Sequence, residues 1–202
     1  ADDVGVNCEL IAVNIADKLD RNLFERYGDV QAFGANQAVH DRNSWYQIGS
    51  ASNKIAAAAN QYAKLYGFYL LSYVVDLEGK VVAVNDCDPA GKPINTAGLY
   101  QKNFKQAEWF QACLAGRFTK TDSLDGTFLE DVHVDEDVKT AYGTDGLVLG
   151  FSAPVKDATG KVVGVWHNCA NFSLVEEIVA APYQHFKKTG CLEAEITLVD
   201  HQ

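Results

Sequence analysis

Two stretches of the sequence carry residue types suited to binding a small molecule or a metal ion. KQAEWFQACLAG places Trp109 beside Phe110, and an indole offers a broad apolar face with one hydrogen-bond donor, which suits a small polar molecule. Lys105, one helical turn before Trp109, could pair with a carboxylate as a point charge. Trp109 could equally anchor a helix on a sheet, and Lys105 could lie in solvent, so this segment leaves both interpretations open.

The acidic stretch EDVHVDED, Glu130–Asp137, is the candidate metal site. In a strand, Asp131, His133 and Asp135 alternate onto one face, and this set could ligate a divalent ion. Charge runs are, however, typical of solvated edges, and edge strands use charge to avoid pairing with other chains. We therefore expect a solvated edge and no metal.

No arrangement of residues in the sequence indicates catalysis. The motifs G-x-S-x-G, HExxH, G-x-G-x-x-G and the P-loop are absent. In WHNC, His167 and Cys169 share a strand face, but the sequence provides no orienting third group. His167 could titrate near neutral pH, or it could be structural. We predict a protein that is not an enzyme and has no cofactor.

Composition narrows the possible partners. The chain has 202 residues and a formal net charge of −10, which argues against nucleic acid and against anionic lipid. Five scattered cysteines include no CxxC pair, so neither a disulfide framework nor a zinc knuckle is indicated. No apolar run is long enough to cross a bilayer. The chain begins with Ala1 and contains no Met, so we expect a fragment whose targeting or anchoring segments were removed.

Apolar periodicity predicts four helices and five or six strands. The first helix would be unusually long, at about 30 residues. The predicted helices cover Val4–Ala38, Ala51–Tyr66 and Leu174–Lys188, with a short one near Phe104–Leu114, and the strands cover Phe68–Asp76, Val81–Asn85, Thr127–Val134, Leu147–Val155 and Ile196–Asp200.

One hairpin pattern occurs twice. VVDLEGKVVAVN ends at Asn85 and VKDATGKVVGVWHN ends at Asn168. In each copy the Asp can accept hydrogen bonds from turn amides, and the Gly can take a positive φ. We predict two β-hairpins of the same design.

The order of elements predicts an α+β fold, with an antiparallel sheet of five or six strands flanked by helices, because no βαβ alternation is present. We expect residues 1–66 to form a scaffold of the long helix and the second helix. Residues 67–190 would form the ligand-binding core. Residues 191–202 would form a C-terminal strand and could begin a further module.

Several segments in order resemble the Cache domain, a PAS-like extracytoplasmic sensor module of bacterial chemoreceptors and sensor kinases. These are a long helix, a second helix, YLLSYVVDLEGKVVAVN, AEWFQACLAG, LVLGFSAPVKDATGKVVGVWHN and a final helix. The resemblance covers nearly the whole chain, although no single motif is specific. It implies a small ligand on one sheet face beneath a lid, here Trp109-Phe110.

The resemblance also implies which strand residues line the pocket. Amino-acid-binding members carry an Arg two residues before the Trp and an Asp at the end of the last strand, where this chain has Ala107 and Asn168. A neutral amide weakens the case for an amino acid and suits a carboxylate or a hydroxy acid better. Alternation then places Gly164, Trp166 and Asn168 on the pocket floor. Further candidates, each of which could instead be core, are Tyr73, Phe128, Tyr142 and either Ser152 or Phe151.

We therefore expect a periplasmic ligand-binding domain of an inner-membrane receptor, most simply a chemoreceptor. The expected partner is a small organic acid, and the intact receptor would be a homodimer along its long helices. Two alternatives stay open at this point: a PAS-like interaction or scaffold domain without a ligand, and a small-molecule enzyme with an unrecognised site.

Overall fold

The computed structural model describes residues 2–188 and 195–197. Its helices are α1 (Asp2–Gly34), α2 (Lys54–Tyr66), α3 (Glu108–Leu114), α4 (Glu136–Tyr142) and α5 (Ser173–Lys188). Its strands are β1 (Tyr69–Asp76), β2 (Val81–Val84), β3 (Phe128–Val134), β4 (Leu147–Lys156) and β5 (Val162–Asn171).

The strands form one antiparallel sheet in the order β2-β1-β5-β4-β3. Both predicted hairpins are present, as β1–β2 and β4–β5, and they meet where β1 pairs with β5 at the centre of the sheet. The α+β class and the antiparallel sheet predicted from the sequence are confirmed.

The two hairpin turns use the predicted chemistry. Asp76 Oδ1 accepts the amides of Glu78 at 2.9 Å and Lys80 at 3.0 Å, and Asp157 Oδ1 does the same in the second hairpin. Gly79 has φ +78° and Gly160 has φ +84°, values that only glycine adopts without strain. The repeated Asp-x-x-Gly-Lys pattern thus encodes the same turn twice.

Replacing Asp76 with Ala should lower the free energy of unfolding by about 1–2 kcal/mol, because two turn amides and the hydroxyl of Tyr46, which donates to Asp76 Oδ2 at 2.7 Å, lose their acceptor. Asp76→Asn keeps an oxygen for the turn amides and should retain most of that stability. Urea denaturation of the two variants measures the difference. Equal losses in both variants would show that the turn bonds contribute little.

The helix α4 was not predicted from the sequence. It begins where the acidic stretch ends, and Asp135 caps it by accepting the amides of Asp137 and Val138 at 2.9 and 2.8 Å. Residues 130–134 of the stretch lie in β3, an edge strand of the sheet, as predicted. His133 Nδ1 instead lies 2.7 Å from the carbonyl oxygen of Asp131. Within residues 2–188 and 195–197, no group of three His, Cys, Asp or Glu side chains is placed to hold a metal ion.

The chain divides into two compact units, residues 26–172 and residues 1–25 with 173–202. The first unit contains the whole sheet, α2, α3, α4 and the last nine residues of α1. No helix among the described residues has the length and apolarity needed to span a membrane. The predicted strand at Ile196–Asp200 lies largely outside the described residues, since only 195–197 are described there, and they form no strand.

Candidate functional site

The sheet has two differently covered faces within the unit 26–172. His167 of β5 lies between Ser152 of the neighbouring strand β4 and Tyr73 of the neighbouring strand β1. These three side chains share one face of the sheet, and that face lies beneath Trp109 of α3. We call this the α3 face. Residues one position along, such as Trp166, lie on the other face against Phe33 of α1. We call that the α1 face.

Aromatic rings close the α3 face. The Trp109 indole stacks on the His167 imidazole with ring centroids 4.4 Å apart and an angle of 24°. Tyr73 and Phe104 contact the same indole at 5.9 and 5.6 Å. Trp109 is 5% exposed. A small molecule entering between the indole and the sheet must therefore separate the Trp109–His167 pair.

A chain of polar groups runs beneath the indole. His167 Nδ1 lies 2.6 Å from Ser152 Oγ and 3.9 Å from Glu130 Oε2. His167 Nε2 lies 3.4 Å from Cys169 Sγ, which in turn lies 3.8 Å from Asp135 Oδ2. Strands β3, β4 and β5 therefore bring a carboxyl, a hydroxyl, an imidazole and a thiol together.

Burial favours the neutral forms of His167 and Glu130. It lowers the pKa of His167 to about 3, with a smaller contribution from His133. It also raises the pKa of Glu130 to about 7, although His133 opposes the rise, while Asp135 and Glu108 add to it. The 3.9 Å separation would permit an ion pair, but both shifts favour the neutral forms. His167 and Glu130 therefore face each other as an imidazole and a carboxylic acid in mildly acidic solution.

The Cys169 thiol is not an activated nucleophile. Burial, followed by the negative charge of Asp135, raises the pKa of Cys169 well above its usual value, and a neutral His167 offers no positive charge to stabilise a thiolate. The contact between the two side chains thus resembles a packed core pair more than a catalytic dyad.

The Glu130 side chain lies where a side chain at Gly150 would otherwise be. Its Oε2 is buried and has no hydrogen-bond partner among the described residues. A Cβ at Gly150, the residue opposite Glu130 in β4, would overlap Oε2. Buried polar atoms normally have partners, and one without any calls for an explanation in terms of a bound group or a functional role.

The structure places two residues of the predicted floor on the face away from Trp109. Trp166 and Asn168 lie on the α1 face, where Asn168 Oδ1 accepts from Trp166 Nε1 at 2.8 Å and from Ser72 Oγ at 2.7 Å. The predicted alternation is present, since Trp166 and Asn168 share a face, but that face lies against α1 and not against Trp109. The space expected at Gly164 is also filled, since the Val75 carbonyl oxygen approaches it closely.

Lys105 lies on the surface of the protein. Its ammonium pairs with Glu78 Oε2 at 2.7 Å, with the two side chains 55% and 76% exposed. It therefore contributes to a surface ion pair, not to the floor beneath Trp109.

The remaining predicted residues lie with Trp109. Ser152, and not Phe151, is on the α3 face, because Phe151 pairs with Asn168. Phe110 is buried in the cluster beside Trp109, and Phe128 and Tyr142 pack against that cluster. The Tyr142 hydroxyl donates to the Leu70 carbonyl at 2.6 Å. Tyr73, Trp109, Phe110, Phe128, Tyr142 and Ser152 stay candidate ligand-binding residues.

Sequence reasoning missed Glu130 as a site residue. It was considered only as one end of an acidic run. The signal was the alternation of β3, where Glu130 follows the apolar Phe128 by two positions and so shares its face. The strand register that joins Phe128 to Ser152 and Glu130 to Gly150 could not be read from the sequence.

Comparison with known proteins supports the fold. No family model matches the sequence, and no curated protein matches it. Among solved structures, the chain is similar to the ligand-binding domain of the amino acid chemoreceptor PctC of Pseudomonas aeruginosa PAO1 in complex with GABA. That match has a TM-score of 0.52 and 20% identity, and it covers 88% of this chain and 66% of that one.

Two further chemoreceptor domains give similar matches. The domain of CtaA from Pseudomonas fluorescens, in complex with L-serine, has a TM-score of 0.54 and 16% identity, and covers 88% of this chain and 63% of that one. The domain of Tlp3 from Campylobacter jejuni, in complex with L-valine, has a TM-score of 0.59 and 17% identity, and covers 85% of this chain and 61% of that one. This chain spans only 61–66% of the length of these three domains. Its five-stranded sheet and long first helix are those of the Cache-type, PAS-like fold of bacterial chemoreceptor ligand-binding domains.

Proposed function

We propose that this chain is the extracytoplasmic ligand-binding domain of a membrane signalling receptor, most simply a chemoreceptor. Its ligand is a small organic solute that carries a carboxylate. The solute binds on the α3 face, beneath Trp109. Anchoring in the inner membrane and homodimerisation belong to the intact receptor in this proposal. The domain itself performs no catalytic step.

The unpartnered Oε2 of Glu130 is the observation that carries the proposal. A carboxyl group 3.9 Å from the imidazole on which Trp109 stacks is a suitable partner for an ammonium group, because ionised acceptors make strong hydrogen bonds and aromatic faces attract cations. The argument from Asn168 against an amino-bearing ligand no longer applies, since Asn168 lies on the other face. The favoured ligand is therefore a small carboxylate that also carries an amino group.

Signalling would follow when a solute moves α3 from its closed position on the sheet to an open one. The stacked Trp109–His167 pair occupies the place where a solute would contact the sheet. A solute can shift α3 away only by binding the open arrangement better than the closed one. The last turns of α1 belong to the same compact unit as the sheet. In this proposal, α1 transmits the movement of α3.

A second candidate function is a PAS-like interaction module with no small ligand. The direct contact of Trp109 with His167, both of which are almost fully buried, favours it. The binding experiment distinguishes the two functions.

Glu130→Gln should weaken binding of an amino-bearing carboxylate at least about tenfold, because a charged hydrogen bond is replaced by a neutral one. The measurement is a thermal-shift screen of L-amino acids, followed by calorimetric titration of each positive. L-alanine, ethylamine and propionate form one matched set of probes, with the amino acid expected to bind best. Glu136→Gln, at a side chain that is 72% exposed on α4, is the control and should bind as the unaltered protein does.

If no amino acid, amine or carboxylic acid raises the melting temperature of the unaltered protein, the sensor proposal fails and the ligand-free module stands. Binding that survives Glu130→Gln unchanged would keep a sensor but remove Glu130 from its site.

A further inference from the structure

We propose that Glu130 exchanges its proton for the ammonium group of the ligand, so that the domain reads solute concentration and pH together. This inference rests on the proposed function and goes beyond it. It assigns to one side chain both the recognition of the solute and a proton-linked control of affinity.

The geometry around Glu130 favours a neutral carboxylic acid when the site is empty. Oε2 is buried, and no donor among the described residues contacts it. The imidazole 3.9 Å away already has its Nδ1 within 2.6 Å of Ser152 Oγ. The glycine opposite, Gly150, offers no side chain. A carboxylate oxygen at the position of Oε2 would lack a hydrogen-bond donor among the described residues.

The other charged groups around Glu130 come from several elements. His133 of the same strand favours ionisation of Glu130, while Glu108 of α3 and Asp135 at the start of α4 oppose it. From β5, His167 is neutral and Cys169 is a buried thiol. Asp135 and Glu108 therefore disfavour ionisation of Glu130 on its own, whereas a bound ammonium group would favour it. The pKa of Glu130, raised to about 7, agrees with this geometry.

The exchange balances without another reactant. The empty site holds Glu130 as –COOH. An ammonium group R–NH₃⁺ binds, the O–H bond of Glu130 breaks, and the proton passes to the buffer. The product is a –COO⁻···⁺H₃N–R pair. One proton is released for each solute bound, and no electron is transferred.

This exchange predicts a particular pH dependence. Below the midpoint of Glu130 titration, affinity should rise about tenfold for each pH unit, because binding releases one proton. Above the midpoint the affinity should level off, because the carboxylate is already ionised. In acid, the domain should therefore require more solute to give the same occupancy.

The test is calorimetric titration of the whole chain with an amino acid that binds, from pH 5.5 to 8.5, in buffers of different ionisation enthalpy. The dependence of the heat on the buffer gives the number of protons released. We expect a value close to one at pH 5.5, falling towards zero at pH 8.5. Carbon NMR of protein labelled in the glutamate carboxyl groups, with Glu130→Gln used to assign the signal, should show that this carboxyl loses its proton on binding.

His133→Gln is the matched control, because His133 is the neighbouring basic group that favours ionisation of Glu130. Release of a proton in His133→Gln as in the unaltered protein supports Glu130 as its source. Loss of the release in His133→Gln, or pH-independent affinity with no proton released, overturns the exchange and leaves the sensor proposal intact. Absence of binding at every pH overturns both.

Discussion

Gly164→Ala should lower the free energy of unfolding by about 3 kcal/mol or more, which is among the largest effects expected of a single methyl group. Gly164 lies in β5, where it pairs with Asp76 of β1 and Val155 of β4. A Cβ at this position would overlap the carbonyl oxygen of Val75. That oxygen belongs to the backbone of the neighbouring strand, so it cannot rotate away as a side chain would. The central pair of strands must separate locally instead.

Gly98→Ala is the matched control for this substitution. Gly98 lies in a short 3-10 helix, Ala97–Gln101, and nothing lies within 4 Å of a Cβ added there. Urea denaturation followed by circular dichroism should show a large shift of the midpoint for Gly164→Ala and almost none for Gly98→Ala. Similar midpoints for the two variants would contradict the close approach of β1 and β5.

Glu130→Gln and His167→Gln should give stability curves of opposite slope between pH 4.5 and 6.5. The folded pKa of His167, about 3, lies below its unfolded value of 6.5. The unfolded chain therefore takes up the proton first, and stability falls as the pH drops through this window. The folded pKa of Glu130, about 7, lies above its unfolded value of 4.5. Here the folded chain holds the proton more tightly, so stability rises as the pH drops.

In the unaltered protein these two contributions oppose each other and largely cancel. Glu130→Gln retains only the contribution of His167, and His167→Gln retains only that of Glu130. Glu130→Gln should lose stability in acid, whereas His167→Gln should gain it from a lower starting value. Between pH 6.5 and 4.5 the difference between the two variants should change by about 5 kcal/mol, since one pKa unit corresponds to about 1.4 kcal/mol for each group.

The measurement is the urea midpoint of each protein at several pH values. His40→Gln serves as the control, because His40 is exposed and lies outside the network beneath Trp109. Parallel curves for Glu130→Gln and His167→Gln would contradict the opposite pKa shifts of the carboxyl and the imidazole.

Local patterns in the sequence were sufficient for the hairpins but not for the site. The Asp and Gly of each turn act within a few residues, so their roles could be predicted. The residues that lie beneath Trp109 depend on which face of the sheet α3 covers. Alternation shows which residues share a face, but it does not show which of the two faces that is. Asn168 pointed to the face that lies against α1, whereas Trp109 covers the face that carries His167. α4 was missed because its capping residue, Asp135, was counted with the acidic run that precedes it.

The central pairing of β1 with β5 also has a consequence for the speed of folding. Each hairpin joins residues close in sequence, but the Ser72–Asn168 bond across the centre of the sheet closes a separation of 96 residues. Contacts this distant are slow to form, because the loop-closure entropy is lost before the contacts are gained. The two hairpins should thus form early and independently, and their association into one sheet should set the overall rate.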